Sequence, residues 1–343
     1  MISTSRKSRF LDSCARISTG NLRLYTPSGH HQDFGQGAPA AEMRIHDWAA
    51  LSGRSLAKSY AAGLWDSDSL GALCALMLSN PHAFKHSLPR GINTPTKGVG
   101  IGNEFFQLLL DPGMSLSAGL FEAGDPDLSQ AQSRKYNRVL DRLAPGLSIL
   151  DIGCGWGSFA ERAADRGYDV TGLTLNAGQK GYADARLDGR ADIRHQDFRK
   201  EHEIYDNIVS IEQLNTLSPR LWPTFFAQLR SRLAQGGRIV LQAVTTPDAG
   251  PLSPVPTVEK LQKLAKNAGL TWKDSFSFGP SYARTFATWQ NQLETNNARL
   301  SHMDFDTAFQ REWRIALAAS SARFRTAQRD VLQIDLTHQR RNQ

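Results

Sequence analysis

Between residues 148 and 244 the apolar positions fall into short runs separated by stretches of helical period. The runs are 148–152, 169–173, 191–195, 207–211 and 238–244, and the intervening stretches 158–165, 177–187 and 219–233 repeat at helical spacing. Short runs bounded by turn residues read as buried strands, and their alternation with helices predicts an α/β unit on a parallel sheet. Upstream, 22–26 and 43–46 alternate as strands do, with a glycine-rich turn over 27–37 between them. Residues 70–78 form one apolar block, read as a helix that either joins a core or faces lipid, with core favoured. The Gly, Pro and Thr content of 89–102 predicts a linker. Helices are expected over 103–110 and 128–143, with a turn-rich segment between them and Pro145-Gly146 as a stop. Beyond the last run lie a proline-rich loop (246–257), a helix over 258–268, a loop or strand end at 276–282, and long helices over 285–298 and 304–325.

Composition narrows the classes. The 343 residues suffice for two domains. The net charge of +7 suits nucleic acid, anionic lipid or an acidic small molecule. No dense basic run interleaved with aromatics is present, so nucleic acid is not expected as a partner. The basic and apolar residues of 304–329 at helical spacing suit a homodimer contact or a membrane-facing surface. Cys14, Cys74 and Cys154 have no metal-ligand spacing and suggest a reducing compartment without disulfides. Arg6, Lys7 and Arg9 are followed by no apolar export core, and no stretch is long enough to cross a bilayer. A cytoplasmic protein is expected.

The glycine turn concentrates the chemistry. Gly153, Gly155 and Gly157 follow the run at 148–152 and precede a helix, the arrangement of a ligand crevice at the carboxyl end of a parallel sheet. The Gly-x-Gly-x-Gly spacing differs from the Gly-x-Gly-x-x-Gly of dinucleotide folds and leaves room for an adenosyl ligand without pyrophosphate. Three further segments should meet there: 172–179, with hydroxyl and amide groups for a ribose or amino-acid moiety; Gln196-Asp197-Phe198; and 211–215 with Glu212. Asp197 can accept from an exocyclic amine and Phe198 can cover a ring face. With equal weight, Asp197 is a helix cap and Phe198 a core residue.

Ser117-Ala-Gly-Leu-Phe121, Leu128-Ser-Gln-Ala-Gln132 with Lys135, Leu150–Gly157, Val170–Thr174 with Gln179, and Gln196–Arg199 together resemble the cyclopropane-fatty-acyl-phospholipid synthase and mycolic acid cyclopropane synthase family. The N-terminal Ile45-His-Asp-Trp48 and Gly63-Leu-Trp-Asp66 are similar too. The resemblance implies a seven-stranded, mostly parallel, Rossmann-like methyltransferase sheet with flanking helices, spanning 96–343. It also implies a small N-terminal α+β domain over 1–95 with a lipid-binding role. It implies S-adenosylmethionine as cofactor. Ser117, Gly119, Asp151, Gly153 and Gly155 would surround its methionine part; Thr174, Asn176 and Gln179 would lie by the ribose and methionine, and Asp197 and Phe198 by the adenine. The implied acceptor is an unsaturated acyl chain of a phospholipid, reached at the inner face of a membrane.

The family's bicarbonate base is supported by Cys, Glu, His and Tyr. Glu212 and Tyr282 match two of these positions, whereas Ala118 stands at the Cys and Gln242 at the His. Bicarbonate should therefore be held less well, with Gln242 still able to donate. Glu212, Tyr282 and Gln242 are the expected catalytic set. Three activities remain open from sequence: methyl transfer to an unsaturated acyl lipid, methyl transfer to a small soluble acceptor, and non-catalytic binding.

Overall fold

The computed structural model describes residues 4–37, 40–51, 55–84, 88–89, 101–124, 127–249 and 253–339. The expected linker and the boundary near residue 95 lie mostly outside them. The chain divides into two compact units, 1–101 with 283–327, and 102–282 with 328–343.

The first unit opens with α1 (Thr4–Ala15), β1 (Asn21–Tyr25), β2 (His31–Gly35), β3 (Ala41–Ile45), α2 (Leu56–Ala61), β4 (Trp65–Asp66) and α3 (Leu70–Ser79). Its sheet has the order β2-β1-β3-β4, with β1 and β3 parallel and the other pairs antiparallel. The strand β2 lies in what reads from sequence as a turn. Of its residues only Phe34 is buried, so it carries no apolar alternation to detect. Its last residue, Gly35, has φ +89°, and a Cβ there would collide with the Gly20 carbonyl. The apolar block of α3 is core: Leu70, Leu73, Cys74, Leu76 and Met77 are buried with Leu22, Leu24, Met43 and Ile45. Asn80 ends α3 fully buried. Its Oδ1 accepts from the Ser18 and Thr19 amides, and its Nδ2 donates to the Thr19 and Leu76 carbonyls.

The second unit supplies α4 (Asn103–Leu109), α5 (Leu128–Leu140), β5 (Ser148–Ile152), α6 (Ser158–Asp165), β6 (Asp169–Thr174), α7 (Ala177–Leu187), β7 (Asp192–His195), β8 (Tyr205–Ile211), α8 (Trp222–Arg232), β9 (Leu233–Thr245), α9 (Val258–Asn267) and β10 (Leu270–Ser277). Then come α10 (Gly279–Thr295), α11 (Asn297–His302), α12 (Thr307–Arg325) and β11 (Asp330–His338). The sheet order is β10-β11-β9-β8-β5-β6-β7. The strands β5 to β9 run parallel, and β11 is antiparallel to both β9 and β10. The apolar faces of β5, β8, β9 and β11 pack with α8 and α9 in one core, and α5, α6 and α7 cover the other face.

Two features differ from expectation. Residues 276–282, read as a loop or strand end, are the close of a full strand β10 and the start of α10, while β11 was not anticipated. In β11 the polar Gln333 and Asp335 are buried among apolar neighbours, which breaks the run that would have marked it. The C-terminal helices, assigned from sequence to the 96–343 domain, are grouped with the first unit as far as residue 327. There α12 contributes Ile315, Ala318, Ala319 and Ala322 to the core around α3. The Arg311 guanidinium on α12 also donates to the Tyr60 and Trp65 carbonyls and pairs with Asp66, which in turn meets His46. His46 and Asp66, from the two N-terminal motifs, thus belong to this scaffold.

Candidate active site

The carboxyl ends of β5, β6 and β8 bring the candidate residues together, as expected of an open parallel sheet. After β5, Gly153, Gly155 and Gly157 take φ of +86°, +57° and +83°, where a side chain is strained. A Cβ on Gly153 would collide with Gln213, whereas one on Gly155 would meet nothing within 4 Å. The turn is therefore packed beneath and open above. Asp151 at the end of β5 is buried, and its Oδ2 has no hydrogen-bond partner among the described residues. Burial pushes its carboxyl up to about 7, partly offset by the Lys135 cation.

At the β6–α7 turn, Thr174, Asn176 and Gln179 form one hydrogen-bonded cluster. Asn176 caps α7 through the Gln179 amide, and Thr174 Oγ1 donates to Gln179 Oε1 at 2.8 Å. Asn103 on α4 joins the two turns, accepting from Trp156 Nε1 at 2.8 Å and donating to the Gly178 carbonyl at 3.2 Å. The structure places Asp197 and Phe198 after β7 in the roles of cap and core. Asp197 accepts from the Arg199 amide and pairs with its guanidinium, while Phe198 packs edge-on against Phe225.

The segment 111–121 has no regular structure and is held by one face of α5. Gln132 Nε2 donates to the Ser117 carbonyl at 2.8 Å, Lys135 Nζ to Ser117 Oγ at 2.7 Å, and the Tyr136 hydroxyl to Ser115 Oγ at 3.0 Å. These three residues stand at i, i+3 and i+4, the spacing that aligns side chains on a helix. Gly119 meets the same helix, since a Cβ there would lie 3.1 Å from Ala131 Cβ. Lys135 is completely buried, and desolvation lowers its amine to about 7 against the attraction of Glu212, Asp111 and Asp151. Gln132 Oε1, like Asp151 Oδ2, is buried without a partner among the described residues. Unpaired acceptors beneath an open glycine turn fit a ligand that carries an ammonium group.

Glu212 stands just past β8 in a left-handed conformation, φ +61°. For a non-glycine residue this costs about 1–3 kcal/mol and persists only where the surroundings impose it. The Glu212 amide donates to the Gln242 carbonyl at 2.8 Å, and Asn215 clamps the following turn to β9 through both backbone groups of Val244. The carboxylate receives three donors. Oε1 accepts from the Ala118 amide at 3.0 Å and from Gln242 Nε2 at 2.8 Å; Oε2 accepts from the Tyr282 hydroxyl at 2.6 Å. Desolvation raises the carboxyl above its ordinary value, opposed by these three donors and the Lys135 charge. Burial, and then Glu212 itself, push the Tyr282 hydroxyl well up, so it stays a proton donor. Opposite Gln242 on β11 sits Gln333, whose Nε2 donates to Gln242 Oε1 at 3.1 Å.

The structure thus joins Glu212, Tyr282 and Gln242 in one cluster and adds Gln132, Lys135 and Gln333, for which no role was assigned from sequence. The i, i+3 spacing of Gln132 and Lys135 was visible there. Gln333 lay in the unrecognised strand.

The family model for mycolic acid cyclopropane synthetase matches residues 92–334. Tuberculostearic acid methyltransferase UfaA1 of Mycobacterium tuberculosis is 29% identical over 352 residues, covering 86% of this chain and 82% of that protein. Cyclopropane-fatty-acyl-phospholipid synthase of Escherichia coli is 28% identical over 312 residues, 80% of each. The crystal structure of mycolic acid cyclopropane synthase CmaA1 complexed with SAH and CTAB superposes with a TM-score of 0.64 at 25% identity, over 68% of this chain and 94% of that one.

Proposed function

Because the chain belongs to the mycolic acid cyclopropane synthetase family of S-adenosylmethionine-dependent methyltransferases, we propose that it methylates the double bond of an unsaturated fatty-acyl chain of a phospholipid. The product is a cyclopropane or a methylated chain. Among the described residues no helix is long and apolar enough to cross a membrane.

S-adenosylmethionine, when bound, supplies an electrophilic methyl group. Ser117, Gly119, Asp151, Gly153 and Gly155 would hold its methionine part, with the unpaired oxygens of Asp151 and Gln132 as acceptors for the ammonium. Thr174, Asn176 and Gln179 would hold the ribose. The adenine assignment of Asp197 and Phe198 rests on the family resemblance and on their place after β7; both also have partners in the scaffold.

The observation that carries the mechanism is the Glu212 carboxylate with its three donors. An alkene carbon that gains a methyl group leaves its neighbour electron-deficient, and a proton must then leave the chain. Loss from the new methyl closes a three-membered ring; loss from a chain carbon gives a methyl-branched alkene. Glu212 is our base for that proton. The Ala118 amide, Gln242 amide and Tyr282 hydroxyl, the groups at the positions that would support a bicarbonate, already end on Glu212. The chain's own carboxylate therefore takes the place of a separate anion. The donors oppose the rise that burial imposes on its carboxyl, and Tyr282 holds Oε2 in one orientation.

The test is incubation with methyl-labelled S-adenosylmethionine and phospholipid vesicles bearing monounsaturated chains. Mass spectrometry and NMR of the released fatty acids then locate the added carbon. Label in the acyl chain, lost in Glu212→Gln with cofactor affinity retained, is expected. No label in any lipid despite firm cofactor binding would overturn the lipid reading, and label in a water-soluble acceptor would replace it.

A further inference from the structure

Gln242 is fully buried, and either end of its amide could face Glu212 with little change of shape. Only one sense works. With Nε2 toward Glu212 it donates; with Oε1 there, two acceptors would face each other at hydrogen-bond distance. The Glu212 carboxylate favours the first sense, and the far end of the Gln242 amide is held to it as well. Its Oε1 accepts from Gln333 Nε2 at 3.1 Å, and the same Gln333 nitrogen points at the Lys135 backbone carbonyl at 3.4 Å. Gln333 is 2% exposed and sits directly opposite Gln242 in the β9–β11 ladder. If its own amide turned over, its oxygen would face both the Lys135 carbonyl and the Gln242 oxygen. A backbone carbonyl cannot reverse, so it gives the whole series its direction. In this sense Gln333 Oε1 is left buried without a partner, which marks the donor end as the one its surroundings require.

The circuit closes through α5. Gln132, one turn before Lys135, donates to the Ser117 carbonyl, and the Ala118 N–H of the same peptide unit donates to Glu212 Oε1. A planar peptide thus connects Gln132 to Glu212 on one side, and the Gln333–Gln242 pair connects Lys135 to it on the other.

We propose that Gln333 is a positioning residue for proton removal: it sets the sense of the Gln242 amide and so keeps a donor on Glu212 Oε1. The inference rests on the reading of Glu212 as the base. Gln333 does not touch the acceptor; it acts through Gln242. The charged or titratable groups that face Glu212 are Tyr282 on α10 and Lys135 on α5, and neither is altered by a change at Gln333.

The test uses the full chain with Gln333→Met, which keeps length and loses the donor, and Gln333→Leu, which is smaller and loses it too; neither adds a titratable group. The Glu212 carboxyl is titrated by infrared difference spectroscopy, with Glu212→Gln as the spectral reference, alongside kcat against pH, S-adenosylhomocysteine affinity and thermal unfolding. In both variants the Glu212 titration should rise by about one pH unit and kcat should fall on the order of tenfold, as loss of one charge-assisted hydrogen bond predicts. Cofactor-product affinity should stay within about twofold. In a Gln242→Met background, Gln333→Met should add nothing further to either reading. An unchanged Glu212 titration in folded Gln333→Met, or an effect that persists at full size without Gln242, would overturn the proposal. Should Gln333→Met fail to fold, Gln333→Leu carries the same two readings. Failure of the base assignment shows separately, as product formation retained in Glu212→Gln, because the infrared titration does not depend on turnover.

Discussion

The Tyr282 hydroxyl donates to Glu212 Oε2 at 2.6 Å across 70 residues of chain. The first turn of α10 and the end of β8 meet at this bond. Tyr282→Phe removes one of the three donors that favour the ionised carboxylate. The Glu212 carboxyl should rise further above its ordinary value. A base works only when ionised, so activity is lost as pH falls through that value, and the acid limb of the kcat profile should move to higher pH. We expect kcat to fall about ten- to a hundredfold. A profile whose acid limb stays in place would detach Tyr282 from the base.

Lys135 gives a pH-dependent stability of definite sign. Its amine falls from 10.5 to about 7 in the folded chain, chiefly through burial. The folded state thus sheds this proton more readily than the unfolded state. The stability tied to the group is complete above the unfolded value and is lost as pH falls through the folded one. Lys135→Met cannot ionise, so it should gain on the parent chain between about pH 10 and about pH 7, by at most a few kcal/mol, with the difference level below that. Urea unfolding across this range measures it. A gain that instead grows with rising pH would contradict the assignment.

Asn103 should matter to affinity and not to chemistry. Its side chain ties Trp156 in the glycine turn to Gly178 at the start of α7. Asn103→Ala frees both turns and should raise the Kd for S-adenosylhomocysteine by roughly three- to tenfold, with kcat at saturation nearly unchanged, since a typical intramolecular hydrogen bond contributes about 0.5–1.5 kcal/mol net. Calorimetry with the parent and variant chains decides it. Equal affinities would show that the two turns hold their geometry without this residue.

Asn80 tests the first unit in isolation from the site. Asn80→Ala removes the buried side chain on which the amides of Ser18 and Thr19 end, and each loses its acceptor. A loss of about 2–4 kcal/mol is expected from the removed bonds and the uncompensated donors. It should appear as a lower unfolding midpoint, with S-adenosylhomocysteine affinity retained. An unchanged midpoint would mean that Asn80 does not hold this connection.

What the sequence determined by itself is local. The glycine spacing of 153–157 and the runs that became β5 to β9 are read within a few residues, because backbone conformation and apolar period depend on near neighbours. The same signals, with the motif blocks around them, carried the family and its cofactor. They could not tell whether Phe198 faces a ligand or the core, since a single aromatic after a strand looks the same in both cases. The structure adds the edge-on contact with Phe225 on α8, which no near neighbour in the sequence shows. The resemblance named Glu212, Tyr282 and Gln242 as one set, but not the hydrogen bonds that join Ala118, Gln242 and Tyr282 to Glu212 across 94, 30 and 70 residues, nor Gln333 a further 91 residues from Gln242. These meetings depend on strand order and on the register that sets Gln242 opposite Gln333. A polar residue inside a strand breaks the apolar pattern that would reveal the strand, and only a partner on the neighbouring strand makes its burial tolerable.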